Sequence, residues 1–72
     1  MNNTPDLERA LETLIDVHGL RTVLVILRDI CDGKAEHLAH NWQDAAGETA
    51  WNRAAIVISN AADRQAIKAV SL

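Results

Sequence analysis

The residues of this chain that come closest to a chemical motif are the two histidines of Glu36-His37-Leu38-Ala39-His40. A zinc-protease helix places its two histidines one turn apart around an internal glutamate, so that one face of the helix holds the metal. Here the acid precedes both histidines, and the spacing is one residue shorter. His37 and His40 could still bind a metal with a nearby acid across a two-fold dimer, but solvent-facing histidines are the simpler interpretation. We therefore expect neither a metal nor another cofactor.

The single cysteine, Cys31, is the other side chain that could react. A reactive thiolate needs a cationic setting or a helix N-terminus, whereas Asp29 and Asp32 lie beside Cys31 and oppose a thiolate. We expect Cys31 to be a small buried hydrophobic residue. Glycine-rich phosphate loops, Ser-His-Asp arrangements and paired buried carboxylates are missing as well, so the sequence predicts no enzymatic activity.

Length and composition describe one small globular domain. The chain has 72 residues, of which 49% are hydrophobic and 24% are charged, and its only aromatic residues are Trp42 and Trp51. A core of this size contributes only about 3–5 kcal/mol of folding stability unless a further interaction stabilises the fold. One cysteine cannot form a disulfide within the chain, so oligomerisation is the stabilising interaction that remains.

Charge and hydropathy argue against several classes of partner. The net charge is −3 and the seven basic residues are scattered, which is unlike a nucleic-acid surface. No apolar run approaches the roughly 18–20 residues that span a bilayer. Residues 1–6 lack the basic and apolar regions of a signal peptide. Together with a lone cysteine, these features predict a cytoplasmic protein that binds neither nucleic acid nor membranes.

Hydrophobic periodicity predicts two helices in the first two thirds of the chain. The first is expected over about residues 5–18, beginning at Pro5 and ending at Gly19, because glycine suits a left-handed helix end. The second is expected over about residues 21–43. Its β-branched first half also fits a short buried strand, but the chain offers no second strand to pair with it. In the competing interpretation this helix breaks at Gly33.

A third helix is expected over about residues 45–70, with Asp44 as its N-cap. Its inner face is rich in alanine, which lets helix axes approach closely, and Trp51 is expected to fill the widest gap. Three helices joined by short turns predict an all-α, up-down-up three-helix bundle with the long second helix as its spine. The bundle is expected to form a single domain over residues 1–72.

Five consecutive apolar residues, 23–27, exceed what such a bundle can cover. Successive side chains turn by about 100° around a helix, so five in a row leave no polar face. A second copy of the chain is the simplest cover, and we expect a dimer that forms through the second and third helices. The alternative is that the helical phase is misplaced and the surplus residues belong to an ordinary core. The surplus positions that define the predicted self-association surface are Val25, Ile26, Ile56 and Val57.

An acidic stripe follows the first helix, where Glu8, Glu12 and Asp16 recur every four residues. Like charges at this spacing mildly destabilise a helix, so the stripe could be a face for a protein partner. A solvated outer face is the simpler explanation. Arg21 and Arg28 on the second helix could contact these acids, either in the first helix or in a neighbouring chain.

Four segments of the chain resemble an uncharacterised family of short bacterial and phage proteins, and the likeness covers about residues 14–62. The family has no assigned activity, so the resemblance implies a small helical protein of bacteria or mobile elements and assigns no functional residue. Compared with the family, Gly33 and Gly47 are weaker helix formers. The segments are His18-Gly19-Leu20, Cys31 with Lys34-Ala35-Glu36-His37, Asn41-Trp42-Gln43-Asp44 and Trp51-Asn52-Arg53-Ala54-Ala55.

The sequence thus predicts a small, non-enzymatic helical protein that forms a homodimer and acts by binding another protein, as an adaptor, regulator or inhibitor. One alternative is a sponge that holds a small molecule at a subunit boundary near Arg21, Arg28 or His37. Another is a metal-binding protein that uses His37 and His40.

Overall fold

In a computed structural model that describes residues 4–70, the chain is helical apart from its turns, and these residues form no strand. The side chain of Trp42 and the fraying predicted near Ser71 lie outside the described part. The strand alternative for the second helix is contradicted. The helices are α1 (Thr4–His18), α2 (Leu20–His37), α3 (Ala45–Ala62) and α4 (Gln65–Lys68), and a π-helical turn, Leu38–Trp42, extends α2.

The core of the molecule lies between α2 and α3, which a tight turn at residues 43–44 places side by side in antiparallel directions. The buried residues of the described chain are all small, and they let the two helices approach closely. Burial of Cys31 confirms the sequence interpretation. Trp51, in contrast, stays 38% exposed and does not fill the core as predicted. The buried residues are Cys31, Ala35, Ala55 and Ala62.

Helix α2 passes through Gly33 without a break. Its extension ends at Gln43, which has a left-handed backbone (φ 50°, ψ 39°). The N–H groups of Gln43 and Asp44 both donate to the carbonyl of Leu38, and the second of these bonds is 3.1 Å long. One carbonyl at the wide last turn therefore receives two bonds, which ends the helix and reverses the chain.

Asp44 caps α3, as the sequence predicts. The Gly47 N–H donates to Oδ1 of Asp44 at 2.9 Å, which satisfies one of the free N–H groups of the first turn. A Cβ on Gly47 would lie 2.5 Å from Oδ2 of Asp44 and 2.9 Å from Cδ1 of Leu38. The capped turn therefore has no room for a larger residue at Gly47.

The two helical glycines are expected to respond to alanine in opposite directions. Gly33→Ala should raise the free energy of unfolding by about 0.5–1 kcal/mol, because its Cβ would meet nothing within 4 Å and alanine favours helix. Gly47→Ala should lower it by about 1 kcal/mol, because the cap must open to admit a methyl group. Urea denaturation followed by circular dichroism measures both changes. Equal stabilisation by the two substitutions would contradict the capped turn.

A single glycine joins α1 to α2. Gly19 has the positive φ that the sequence predicts, 89°, but its ψ of 150° lies outside the left-handed helical region. Its N–H donates to the Ile15 carbonyl at 2.7 Å, and its carbonyl accepts from the Val23 N–H at 3.1 Å. Gly19 thus closes the last turn of one helix and opens the first turn of the next, and its ψ sets the direction in which α1 departs.

Gly19→Ala is expected to lower the free energy of unfolding by about 1–2 kcal/mol, because residues with a Cβ rarely adopt this backbone conformation. Urea denaturation checks the change, with Gly33→Ala as the control for adding a methyl group to an unstrained helix. A Gly19→Ala protein with wild-type stability would show that the bend between the helices differs from the one described.

Helix α1 does not join the α2–α3 pair in a bundle. It approaches only α2 among the described helices, and it contains no buried residue. The described molecule is consequently flat, at 40 × 36 × 15 Å. Its radius of gyration is 14.4 Å, against about 11 Å for a compact domain of this length. The structure keeps the predicted long second helix packed on the third and departs from the prediction at α1.

The predicted third helix, 45–70, is also interrupted. Helix α3 ends at Ala62, and the extended backbone of Arg64 (φ −69°, ψ 143°) leads into the single turn α4. Helix α4 contacts both α2 and α3. The chain therefore closes over the end of the α2–α3 pair instead of prolonging α3.

Candidate functional site

Helix α1 has an apolar side that the described chain covers only in part. Leucines recur along it at helical spacing, and the exposed fraction of four of its apolar side chains ranges from 40% at Leu11 to 65% at Val17, whereas Ile15 is half-buried. Such a stripe ordinarily faces a core. The exposed apolar residues of the helix are Leu7, Leu11, Leu14 and Val17.

An open apolar cleft of about 350 Å³ separates α1 from α2. Helix α2 turns one side towards α3, where Cys31 and Ala35 are buried, and presents a second apolar side to this cleft. Three of the five consecutive apolar residues of the sequence line the cleft, namely Val23, Ile26 and Leu27. The cleft is lined from α1 by Leu11, Leu14 and His18, and from α2 by Thr22, Val23, Ile26, Leu27 and Ile30.

Of the four residues of the predicted self-association surface, Ile26 alone is part of the cleft lining. Ile26 lines the cleft and is 51% exposed, whereas Val25 lies about 100° further round α2 and is half-buried. Ile56 and Val57 are 59% and 66% exposed. They follow the buried Ala55, are turned about 100° and 200° away from it, and do not line the cleft. Three of the four predicted residues are thus exposed, and their joint role in self-association stays a prediction.

Sequence reasoning missed the contribution of α1 to the cleft. Leu11 and Leu14 have the spacing of core residues, and the predicted bundle placed them there. The signal that could have exposed the error is the width of the apolar arc of α1. From Val17 through Leu14 to Ile15 it covers about 160° of the helix, more than one neighbouring helix needs.

The acidic stripe of α1 is solvent-exposed. Glu8, Glu12 and Asp16 make no ion pair with any residue in the range 4–70. With Asp6 and Arg9, the helix carries four acids and one base. Helix α1 is thus an acidic amphipathic helix whose apolar side and charges are both available to another surface.

The two arginines that could have reached these acids are paired elsewhere. Arg21 donates from Nη2 to Oδ1 of Asp63 at 3.0 Å and from Nε to the Ala62 carbonyl at 3.1 Å, so it fastens α2 to the C-terminal end of α3. Arg28 donates to the carboxylate of its neighbour Asp29 at 2.8 Å. This hydrogen bond and the charge of Asp29 raise the pKa of Arg28. Both guanidinium groups therefore bond to residues of their own chain.

The histidines are dispersed over the molecule. His37 Nδ1 lies 2.7 Å from Nδ2 of Asn41, one turn along, and His40 is exposed on the π-helical turn. His18 lies at the cleft. Within the described residues, no group of three or more His, Cys, Asp or Glu side chains is placed to hold a metal ion. His37 and His40 as metal ligands stay a prediction.

Comparison with other proteins assigns no function to this surface. Comparisons with protein-family models, with curated proteins and with solved structures find no match for the chain. Kinship with short bacterial and phage proteins therefore stays a prediction. Of the helices described, none combines the length and the apolar character that crossing a membrane requires.

Proposed function

We propose that this chain is a non-enzymatic, self-associating helical module that acts by binding another protein. One observation carries the proposal, namely the surface that a single copy leaves uncovered. The chain exposes 5581 Å², whereas a compact monomer of its mass, 7.9 kDa, exposes about 4,400 Å². The excess is about 1,200 Å².

The uncovered surface of the described residues includes eleven exposed large apolar side chains, which favours association over a solvated outer face. Exposed leucines and isoleucines of α1 and α2 adjoin one another across the cleft. A contiguous apolar patch of more than a few hundred Å² is rare on a monomer and usually marks an interaction site. Association of two copies would remove this surface from water without any further chemistry.

Binding of a second, different protein is the role that we assign to the surface left over after self-association. The unpaired Glu8, Glu12 and Asp16 would suit a partner with basic side chains, and Ile56 and Val57 would supply apolar contacts. An adaptor, regulator or inhibitor of bacterial or phage origin fits this description. The buried thiol of Cys31 is compatible with the reducing cytoplasm in which we place it.

Native mass spectrometry of the protein purified from its host tests the proposal. We expect a species with the mass of two chains, and a fraction that retains a second protein. A single chain without a protein partner would contradict the proposal. A discrete small added mass would support the sponge alternative, which draws no support from Arg21 and Arg28 because both are already paired. Stoichiometric zinc, iron or nickel would support the metal alternative.

A further inference from the structure

We infer that the α1–α2 cleft receives helix α1 of a second copy of the chain. In this arrangement two chains form an intertwined two-fold dimer, with the α1 and α2 helices of both copies around one shared core. The inference rests on the proposed self-association. It adds which surface associates, which helix of the second copy binds there, and how the two copies are arranged.

The cleft is open and apolar, which suits an amphipathic occupant. Its two walls diverge from the bend at Gly19, so the space between them opens towards solvent and is lined by leucine, isoleucine and valine. An amphipathic helix laid along the open mouth of the cleft would turn its apolar side towards both walls, as the third helix of a bundle does. Helix α1 of a second copy has such an apolar side.

The apolar arc of α1 can serve two neighbours at once. Leu11 and Leu14 already form the wall opposite α2 of the same chain. Leu7 prolongs this side by one turn towards the N-terminus, Val17 widens it by about 60°, and both remain exposed. In a two-fold dimer these outer residues would meet the α2 wall of the second copy, and the same contacts would repeat in the other half.

The uncovered area indicates a second copy in preference to a different protein. A stable interface of standard size removes about 800 Å² from each partner, which the excess of about 1,200 Å² per chain readily supplies. An exchange of α1 helices covers both clefts in one interaction. The described core also consists of only four small side chains, so the chain needs a cover that is present wherever the chain is made.

Matched substitutions separate the cleft from the rest of the apolar surface. Ile26→Glu and Leu14→Glu place a carboxylate in the cleft, and we expect each to raise the dimer Kd by about 30-fold or more. Ile56→Glu and Val57→Glu alter comparably exposed residues on α3, and we expect less than about a threefold change. Sedimentation equilibrium gives the four dissociation constants. Dissociation by the α3 substitutions with no effect of the cleft substitutions would overturn the inference.

A measurement on the unaltered protein guards against variants that fail to fold. Dimers assembled from ¹³C-labelled and unlabelled chains are examined by isotope-filtered NOE spectroscopy. We expect cross-peaks between chains that join methyl groups of α1 to those of Ile26 and Ile30. A dimer whose cross-peaks come from Ile56 and Val57 would overturn the cleft assignment and leave self-association intact. Contacts between α1 and α2 within one chain only, in a protein that stays monomeric, would overturn both.

Discussion

The melting temperature of this protein is expected to rise by about 4–5 °C for every tenfold increase in its concentration. The reason is that folding and association are coupled when a single chain leaves its apolar surface in water. A tenfold change in concentration is worth about 1.4 kcal/mol to a dimer, and this energy is divided by the unfolding entropy of two chains. Far-UV circular dichroism over about a hundredfold concentration range measures the slope.

The same slope should persist in Val57→Glu, which alters α3 away from the cleft, and should weaken or vanish in Ile26→Glu. Val57 and Ile26 have similar exposure in the single copy, so the difference between the two variants reports position and not hydrophobicity. Identical melting temperatures at all concentrations of the wild-type protein would contradict coupled folding.

Ala55→Asp is expected to lower the free energy of unfolding by about 3 kcal/mol or more. Ala55 is 3% exposed and lies on the side of α3 that packs on α2, so a short carboxylate there would be removed from water. A core of this size supplies only about 3–5 kcal/mol, so most of the variant should be unfolded at moderate concentration.

Ala50→Asp is the matched control for this substitution, because Ala50 is exposed on the same helix. Both variants lose the same helix propensity, so the difference between them isolates burial. Urea denaturation at a fixed protein concentration gives both free energies. If the two substitutions were equally tolerated, α3 would not pack against α2 through the side that contains Ala55.

The parts of the fold that depend on local chemistry were predictable from the sequence. Asp44 caps its helix because its side chain reaches the N–H group three residues on. Gly19 ends α1 because it tolerates a positive φ. The alanine-rich side of α3 packs closely on α2 since small side chains allow it. Each of these features is fixed by residues that are near one another in the chain or share one helix face.

The direction of α1 was not predictable in the same way. The spacing of Leu7, Leu11 and Leu14 identifies an apolar side but not what covers it, and a cover from another chain leaves the same pattern as a cover from within. The angle between α1 and α2 depends on the ψ of Gly19, for which composition gives no signal. The predicted bundle therefore buried this stripe in a three-helix core, whereas in a single chain α1 does not pack into the α2–α3 core.

The interruption of α3 has a similar cause. No proline or glycine lies near Asp63 and Arg64, so the sequence carries no break signal there. The break coincides with the contact that Arg21 makes with the Ala62 carbonyl and with Asp63, residues far away in sequence. A contact between distant residues competes with local helix propensity, and periodicity alone could not reveal it.

Sedimentation equilibrium over a range of concentrations tests self-association most directly. We predict that the fitted mass approaches twice that of the 7.9 kDa chain as concentration rises, and that dilution returns it towards one chain with loss of helix. A mass of one chain at every concentration, in a protein that remains helical and unfolds cooperatively, would contradict the account.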